Sequence, residues 1–165
     1  MSLARTPTGA AMLSMVVCHC GPIEEGEQLL YPLRTFQSPM DDGIKPLPYM
    51  LQSALDQRFP SGRLHYWKSG WLRDLTDGAI ETLLQSLPLM PSFASSVGLH
   101  RCTEWRAVSP HRLPPSPHRA EHYDFLILSQ WSDPTDSHRN IAWTRALFQA
   151  MQPYLEESVY VNNPR

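Results

Sequence analysis

One ten-residue run constrains this chain more than any other: His122-Tyr-Asp-Phe-Leu-Ile-Leu-Ser-Gln-Trp131. It is dense in aromatic and branched side chains and holds neither Gly nor Pro. A Pro-His-Arg turn precedes it and a Ser-Asp-Pro turn follows it, which is the pattern of a strand buried on both faces. We read it as the central strand of a sheet. Alternation sends Tyr123, Phe125, Ile127, Ser129 and Trp131 one way and His122, Asp124, Leu126, Leu128 and Gln130 the other. The first set is pure core; the second is half core and half site.

The elements around that strand follow from the order of apolar periods and breakers. Ser2 to Ala11 is made of small residues and is expected to be frayed or extended. Met12 to Cys20 runs apolar into Gly21-Pro22 and predicts a buried strand followed by a turn. Glu24 and Glu25 suit the positive end of a helix whose face carries Leu29, Leu30, Leu33 and Phe36, with Pro32 expected to kink it. Leu47 to Leu55 reads as a short helix in a loop-rich stretch.

Leu64 to Leu72 is the second strong strand, with Tyr66, Lys68 and Gly70 on one face and Trp67, Ser69 and Trp71 on the other. A lysine between a tyrosine and a glycine suggests that something flat approaches that face. Thr76 caps the next helix, Leu75 and Ile80 form a staple, and Ile80, Leu83, Leu84 and Leu87 give the i, i+3, i+4, i+7 stripe up to Pro88. Ala94 to His100 is a weaker strand. A last helix begins near Asp133 or Asp136 and buries Trp143, Leu147, Phe148 and Met151, and Ser158 to Asn162 is a final short strand. Four prolines between Pro110 and Pro117 predict an irregular surface loop there.

This order predicts an α+β fold: an antiparallel or mixed sheet with helices packed on one face and an open face. A sheet of this size does not turn aromatic surface to water without reason, so the open face is expected to meet a ligand or another domain. At 165 residues and 42% hydrophobic the chain is one domain, or a piece of one, large enough for a real core. A net charge of -2 gives no electrostatic case for nucleic acid or an anionic membrane. With no membrane-length apolar run and no signal-type N-terminus, the expected location is cytoplasmic. Cys18, Cys20 and Cys102 show no disulfide framework and read as reduced. In a strand, His19 would face away from Cys18 and Cys20, so buried strand cysteines are favoured over a metal site.

No Gly-x-Gly-x-x-Gly, Walker loop or nucleophile elbow is present. The ordered set Tyr66-Trp-Lys-Ser-Gly70, Pro117-His-Arg119, Ile127-Leu-Ser-Gln-Trp131, Asn140-Ile-Ala-Trp143 and Tyr160-Val-Asn162, spread over about residues 8 to 163, resembles the C-terminal half of FAD-linked oxidases, in the berberine-bridge-enzyme-like branch of the vanillyl-alcohol oxidase superfamily. The resemblance implies a substrate-domain fragment over residues 1–165. The N-terminal FAD-binding domain and the C-terminal tail would lie outside it, and the open face would turn toward the flavin domain. It further implies an FAD-dependent oxidoreductase acting on an alcohol, sugar or similar hydroxylated substrate, the isolated fragment holding no FAD and being inactive alone.

Carried over residue by residue, the resemblance puts Tyr160 where the family often has a tyrosine that assists deprotonation of the substrate hydroxyl. Asn162 would lie near the flavin, and Lys68 and Gln130, with Tyr66, would line the substrate cavity. Lys68, Gln130 and Tyr160 are expected on the side of the sheet away from the helices, Tyr66 and Gly70 sharing it by alternation, with Trp67 and Trp71 beneath the helices beside Leu84 and Leu147. Plant relatives often carry an acidic or amide residue where this chain has Leu126, so that form of base does not carry over. The rival expectation, from the residues alone, is a stand-alone non-enzymatic α+β module that binds a ligand or dimerises through its open face.

Overall fold

The computed structural model describes residues 1–48, 60–102 and 121–156. The chain forms two compact units, Val16–Ser61 and a sheet unit made of Met1–Met15 with Gly62–Arg165. In the first, a helix α1 (Ile23–Phe36) carries Glu24 and Glu25 in its first turn and runs on through Pro32. The expected apolar face is not a core face, since Leu29 and Phe36 are exposed.

The sheet unit has five strands: β1 (Ser2–Arg5), β2 (Ala11–Ser14), β3 (Leu64–Leu72), β4 (Ser96–Cys102) and β5 (His122–Trp131). Their order across the sheet is β2-β1-β4-β5-β3, and every neighbouring pair is antiparallel. Two helices complete it, α2 (Asp77–Ser86) and α3 (Ser137–Met151). The fold is α+β, as the alternation of strand and helix signals predicts.

β3 and β5 begin and end where their residue patterns place them, because long branched and aromatic runs between breakers leave little freedom in their ends. β5 is paired along both edges, but the middle of the sheet is β4. That follows from β1, which is extended, as one of the two expectations for Ser2 to Ala11 has it, and is paired to β4, which the sequence reading did not foresee. Its Leu3 lies opposite Val97, and the amino group of Met1 donates to Leu99 O at 2.8 Å while Leu99 N returns a bond to Met1 O. The β1–β2 hairpin closes through Thr6 and Ala10, with Gly9 at φ +90 supplying the left-handed residue that the turn requires. The strand expected over Met12 to Cys20 is only four residues long and starts at Ala11.

Register between strands decides which side becomes core. Val97 and Leu99 of β4 lie opposite Ile127 and Phe125 of β5, and these pack with Leu72, with Ala79 and Leu83 of α2, and with Trp143, Leu147 and Met151 of α3. Phe125, Ile127, Leu72 and Met151 have no measurable exposure, so each such side chain contributes about 1.5–3 kcal/mol of burial. Both helices of this unit therefore sit on one face of the sheet. Thr76 caps α2 by accepting from Ala79 N at 3.3 Å. Of the expected stripe Leu83 and Leu87 are buried, together with Ala79, whereas Ile80 and Leu84 are exposed. Positions 79, 83 and 87 line one edge of that stripe, so its other edge, Ile80 and Leu84, turns toward solvent.

Polar bonds fix the helices at both ends. Trp143 Nε1 donates to Ser86 O at the end of α2, and Trp131 Nε1 donates to Ser137 Oγ at the start of α3. Arg5 donates from Nη1 to Met90 O and Pro88 O just beyond α2, so the first strand secures the segment after the helix. After α3 the chain returns to β3, where Leu155 bridges Leu72 and Glu156 N donates to Trp71 O. The expected strand Ser158 to Asn162 and the proline-rich segment lie outside the described residues, as does most of the expected helix Leu47 to Leu55. Among the described residues, no helix is long and apolar enough to cross a membrane.

Candidate functional site

Alternation and register together determine what the sheet presents opposite α2 and α3. Since Ile127 faces the helices and Lys68 is its partner on β3, Lys68 shares the helix side, while Trp67, opposite Leu128, takes the other. The second face is thus built from His65, Trp67, Ser69 and Trp71 of β3, His122, Asp124, Leu126, Leu128 and Gln130 of β5, and Ser96, Gly98 and His100 of β4. It is graded along the strands. Leu128 and Gln130 are buried at one end, whereas His100 and Asp124 keep 46% and 45% of their side-chain surface at the other.

The chemistry of this face gathers at the more exposed end. His100 and Asp124 are opposite one another across β4 and β5, with Nδ1 3.9 Å from Oδ2. Trp71 and His122 lie diagonally across β3 and β5, their ring centroids 5.2 Å apart and the planes tilted by 37°. Gly98 sits between His100 and the buried end, and a methyl group there would meet nothing closer than 3.8 Å, so the floor dips beside the imidazole. Aromatic rings next to a His–carboxylate pair offer a stacking surface beside a group able to exchange a proton.

At the buried end Gln130 is held by three hydrogen bonds. Ser95 Oγ donates to Gln130 O and accepts from Gln130 N, and Arg63 Nη1 donates to Gln130 Oε1 at 3.3 Å. Beside the sheet, Arg101 and Glu121 form an ion pair at 2.9 Å that holds the guanidinium further above its ordinary range. Among the described residues no three His, Cys, Asp or Glu side chains converge as a metal site.

No protein-family model matches this chain, and no curated protein matches it.

The expected cavity residues are not brought together. Lys68 lies over the Phe148 ring of α3 at 5.5 Å, and Tyr66 accepts from Arg145 Nε at 3.3 Å, so both are on the helix side. Gln130 is on the opposite face. Trp67 and Trp71 are correspondingly on the face away from the helices, Trp67 is 46% exposed, and Leu84 is exposed rather than packed beneath a tryptophan. Alternation within each strand is as expected; the relative phase of β3 and β5 is set by pairing, which no single strand encodes. The flat neighbour inferred for Gly70 is the Leu155 side chain, whose Cδ1 would be 3.1 Å from an added Cβ. Tyr160 and Asn162 lie outside the described residues.

His100 and Asp124 escaped the sequence reading as a pair. Asp124 and His122 stood on the mixed face of β5, but only the β4–β5 register sets His100 beside them. The other correction concerns Cys18 and Cys20. Both are exposed and outside any strand, with sulfurs 3.8 Å apart, and Cys20 pushes the Cys18 thiol up from its ordinary value by hydrogen bonding and charge repulsion.

Proposed function

We propose that this chain is the substrate-domain part of an FAD-dependent oxidoreductase that acts on an alcohol, sugar or similar hydroxylated compound. The observation that supports the reading is the sheet face opposite α2 and α3, where Trp67, the Trp71–His122 pair and the His100–Asp124 pair lie together. A planar ring system stacks on such a surface, and the neighbouring imidazole can accept a proton from a hydroxyl group.

The fit to a flavin is partial. Aromatic side chains suit the ring, whereas the sequence has no glycine-rich loop for the pyrophosphate, so phosphate binding falls to a domain outside this chain. When bound, the flavin supplies the hydride acceptor. This chain's own residues orient the substrate and manage its proton. Asp124 lies 3.9 Å from His100 across β4 and β5, Tyr160 is the group that the resemblance assigns to deprotonation, and Asn162 is assigned to the flavin side.

The test is expression of the chain in frame with the coding region directly upstream. A yellow protein whose flavin is bleached by a hydroxylated substrate is the expected result. A colourless product with an intact fold would sink the reading and favour a non-enzymatic module.

A further inference from the structure

The segment leading into α1 carries Cys18-His19-Cys20, two exposed thiols joined by a sulfur–sulfur hydrogen bond of 3.8 Å. We infer that Cys18 and Cys20 are a reversible redox pair: a peroxide oxidises them to a disulfide, and a small reducing thiol opens it again. Reach and freedom carry the assignment. A disulfide needs Cα atoms no more than about 7 Å apart and sulfurs about 2.05 Å apart. Residues two positions apart span at most about 7.2 Å even when fully extended, and here the sulfurs are already in contact. Residues 15–20 lie outside any helix or strand, so no ladder hydrogen bond has to break as the sulfurs close the remaining gap.

The surroundings favour the reaction. Buried strand cysteines would be inert, whereas these two are open to an oxidant. His19, between them, is turned away, with Nε2 4.0 Å from Glu25 Oε2 and its ring against Gly26, where an added Cβ would meet it at 2.9 Å. Hydrogen bonding to Cys20 and repulsion from its charge hold the proton on Cys18, so Cys20 serves as the attacking thiolate. Its sulfur takes one oxygen of hydrogen peroxide; the O–O bond breaks, and the other oxygen leaves as hydroxide, which picks up the proton that Cys20 had released. The Cys18 sulfur then attacks the resulting sulfenic acid, its own proton going to the departing hydroxyl, which leaves as water. Two thiols thus lose two electrons and two protons, and one peroxide becomes two waters. Glutathione reverses the bond by thiol–disulfide exchange, two molecules of it being oxidised to their own disulfide, and an exposed bond of this kind opens readily.

The full chain, reduced and freed of reductant, would be treated with hydrogen peroxide, alkylated with iodoacetamide and mapped by mass spectrometry. Both thiols of the peptide containing Cys18 and Cys20 should be lost to alkylation, with that peptide lighter by two hydrogen atoms, and both should return after reduced glutathione is added. Cys18→Ser should stop at a sulfenic acid on Cys20 that dimedone captures, and Cys102→Ser should behave like the unsubstituted chain. Circular dichroism would verify the fold, and because Cys18 is exposed its substitution removes no packing. Thiols at Cys18 and Cys20 that stay alkylatable after peroxide would overturn the inference. So would oxidation onward to sulfinic acid, a bond to Cys102 or to a second chain, or a bond that glutathione does not open.

Discussion

Ser129 of β5 donates its hydroxyl proton to Thr144 of α3 across 2.7 Å, with both side chains fully buried. The direction follows from donor accounting. Thr144 Oγ1 spends its own proton on Asn140 O at 3.1 Å, so it can only accept from Ser129. Thr144→Val therefore strands a buried donor, whereas Ser129→Ala merely leaves an acceptor of an already bonded hydroxyl unfilled. Thr144→Val should cost about 1–3 kcal/mol and Ser129→Ala clearly less. Denaturant unfolding of the two variants checks the asymmetry; a larger cost for Ser129→Ala would mean that the proton runs the other way.

That bond also shows where sequence reading stops. Ser129 was assigned to the core face of β5 with Phe125 and Ile127, which is correct, because a period of two within one strand is local information. The bounds of β3 and β5 and the Thr76 cap were legible for the same reason. The pairing of Lys68 with Ile127 was not: it depends on the register of two segments more than fifty residues apart, and a shift of one residue exchanges every face. β1 stayed hidden because the four residues Ser2-Leu-Ala-Arg5 are too few to show a period of their own, and the strand owes its place to β4. The His100–Asp124 pair was out of reach for the same cause.

Lys68 offers a direct check on the corrected face. Its ammonium lies 5.5 Å from the centre of the Phe148 ring, a partly exposed contact of about 0.5–1 kcal/mol. Lys68→Met keeps the stem on the ring and should lower stability by no more than about 1 kcal/mol. In the flavin-containing parent of the proposed function it should leave flavin reduction unchanged. A large loss of reduction rate with normal stability would return Lys68 to the substrate cavity.

Gly70 and Leu155 should be coupled. An added Cβ at Gly70 would sit 3.1 Å from Leu155 Cδ1 and 3.2 Å from Cδ2, so Gly70→Val overpacks the place where the chain rejoins β3, at a cost of about 1–3 kcal/mol. In a Leu155→Ala background the valine has room. The double variant should be less destabilised than the sum of the two single ones, by thermal or denaturant unfolding, and strict additivity would remove Leu155 as the neighbour.

Asp133 carries a pH dependence with a definite sign. Its carboxylate accepts from Thr135 N at 2.9 Å and Thr135 Oγ1 at 2.7 Å ahead of α3, and these bonds hold its pKa below the ordinary value of 3.8. A depressed carboxyl pKa stabilises the fold above the unfolded-state value and loses that contribution as pH falls through the folded-state value. Wild type should accordingly exceed Asp133→Ala in melting temperature at pH 7, with the gap closing below pH 3.8. A gap that persisted undiminished at pH 2 would mean that the charge of Asp133 contributes nothing to the turn.

The proton-handling groups of the proposed site make opposite demands on one experiment. Tyr160→Phe removes a hydroxyl and nothing else, so in the flavin-containing parent it should slow flavin reduction by about 10²-fold or more while FAD stays bound. Asp124→Asn keeps the shape of the pair at 3.9 Å but removes its carboxylate. Its effect should be read in the rate of flavin reduction, which falls if the His100–Asp124 pair takes up the substrate proton. Asp124→Asn should retain the fold, because Asp124 is nearly half exposed and its main chain keeps the β4 and β3 pairings. If Asp124→Asn left the rate unchanged while Tyr160→Phe slowed reduction, the tyrosine alone would manage the proton and the His100–Asp124 pair would lose its role. If Asp124→Asn slowed reduction and Tyr160→Phe had no effect, the role would pass from Tyr160 to the His100–Asp124 pair.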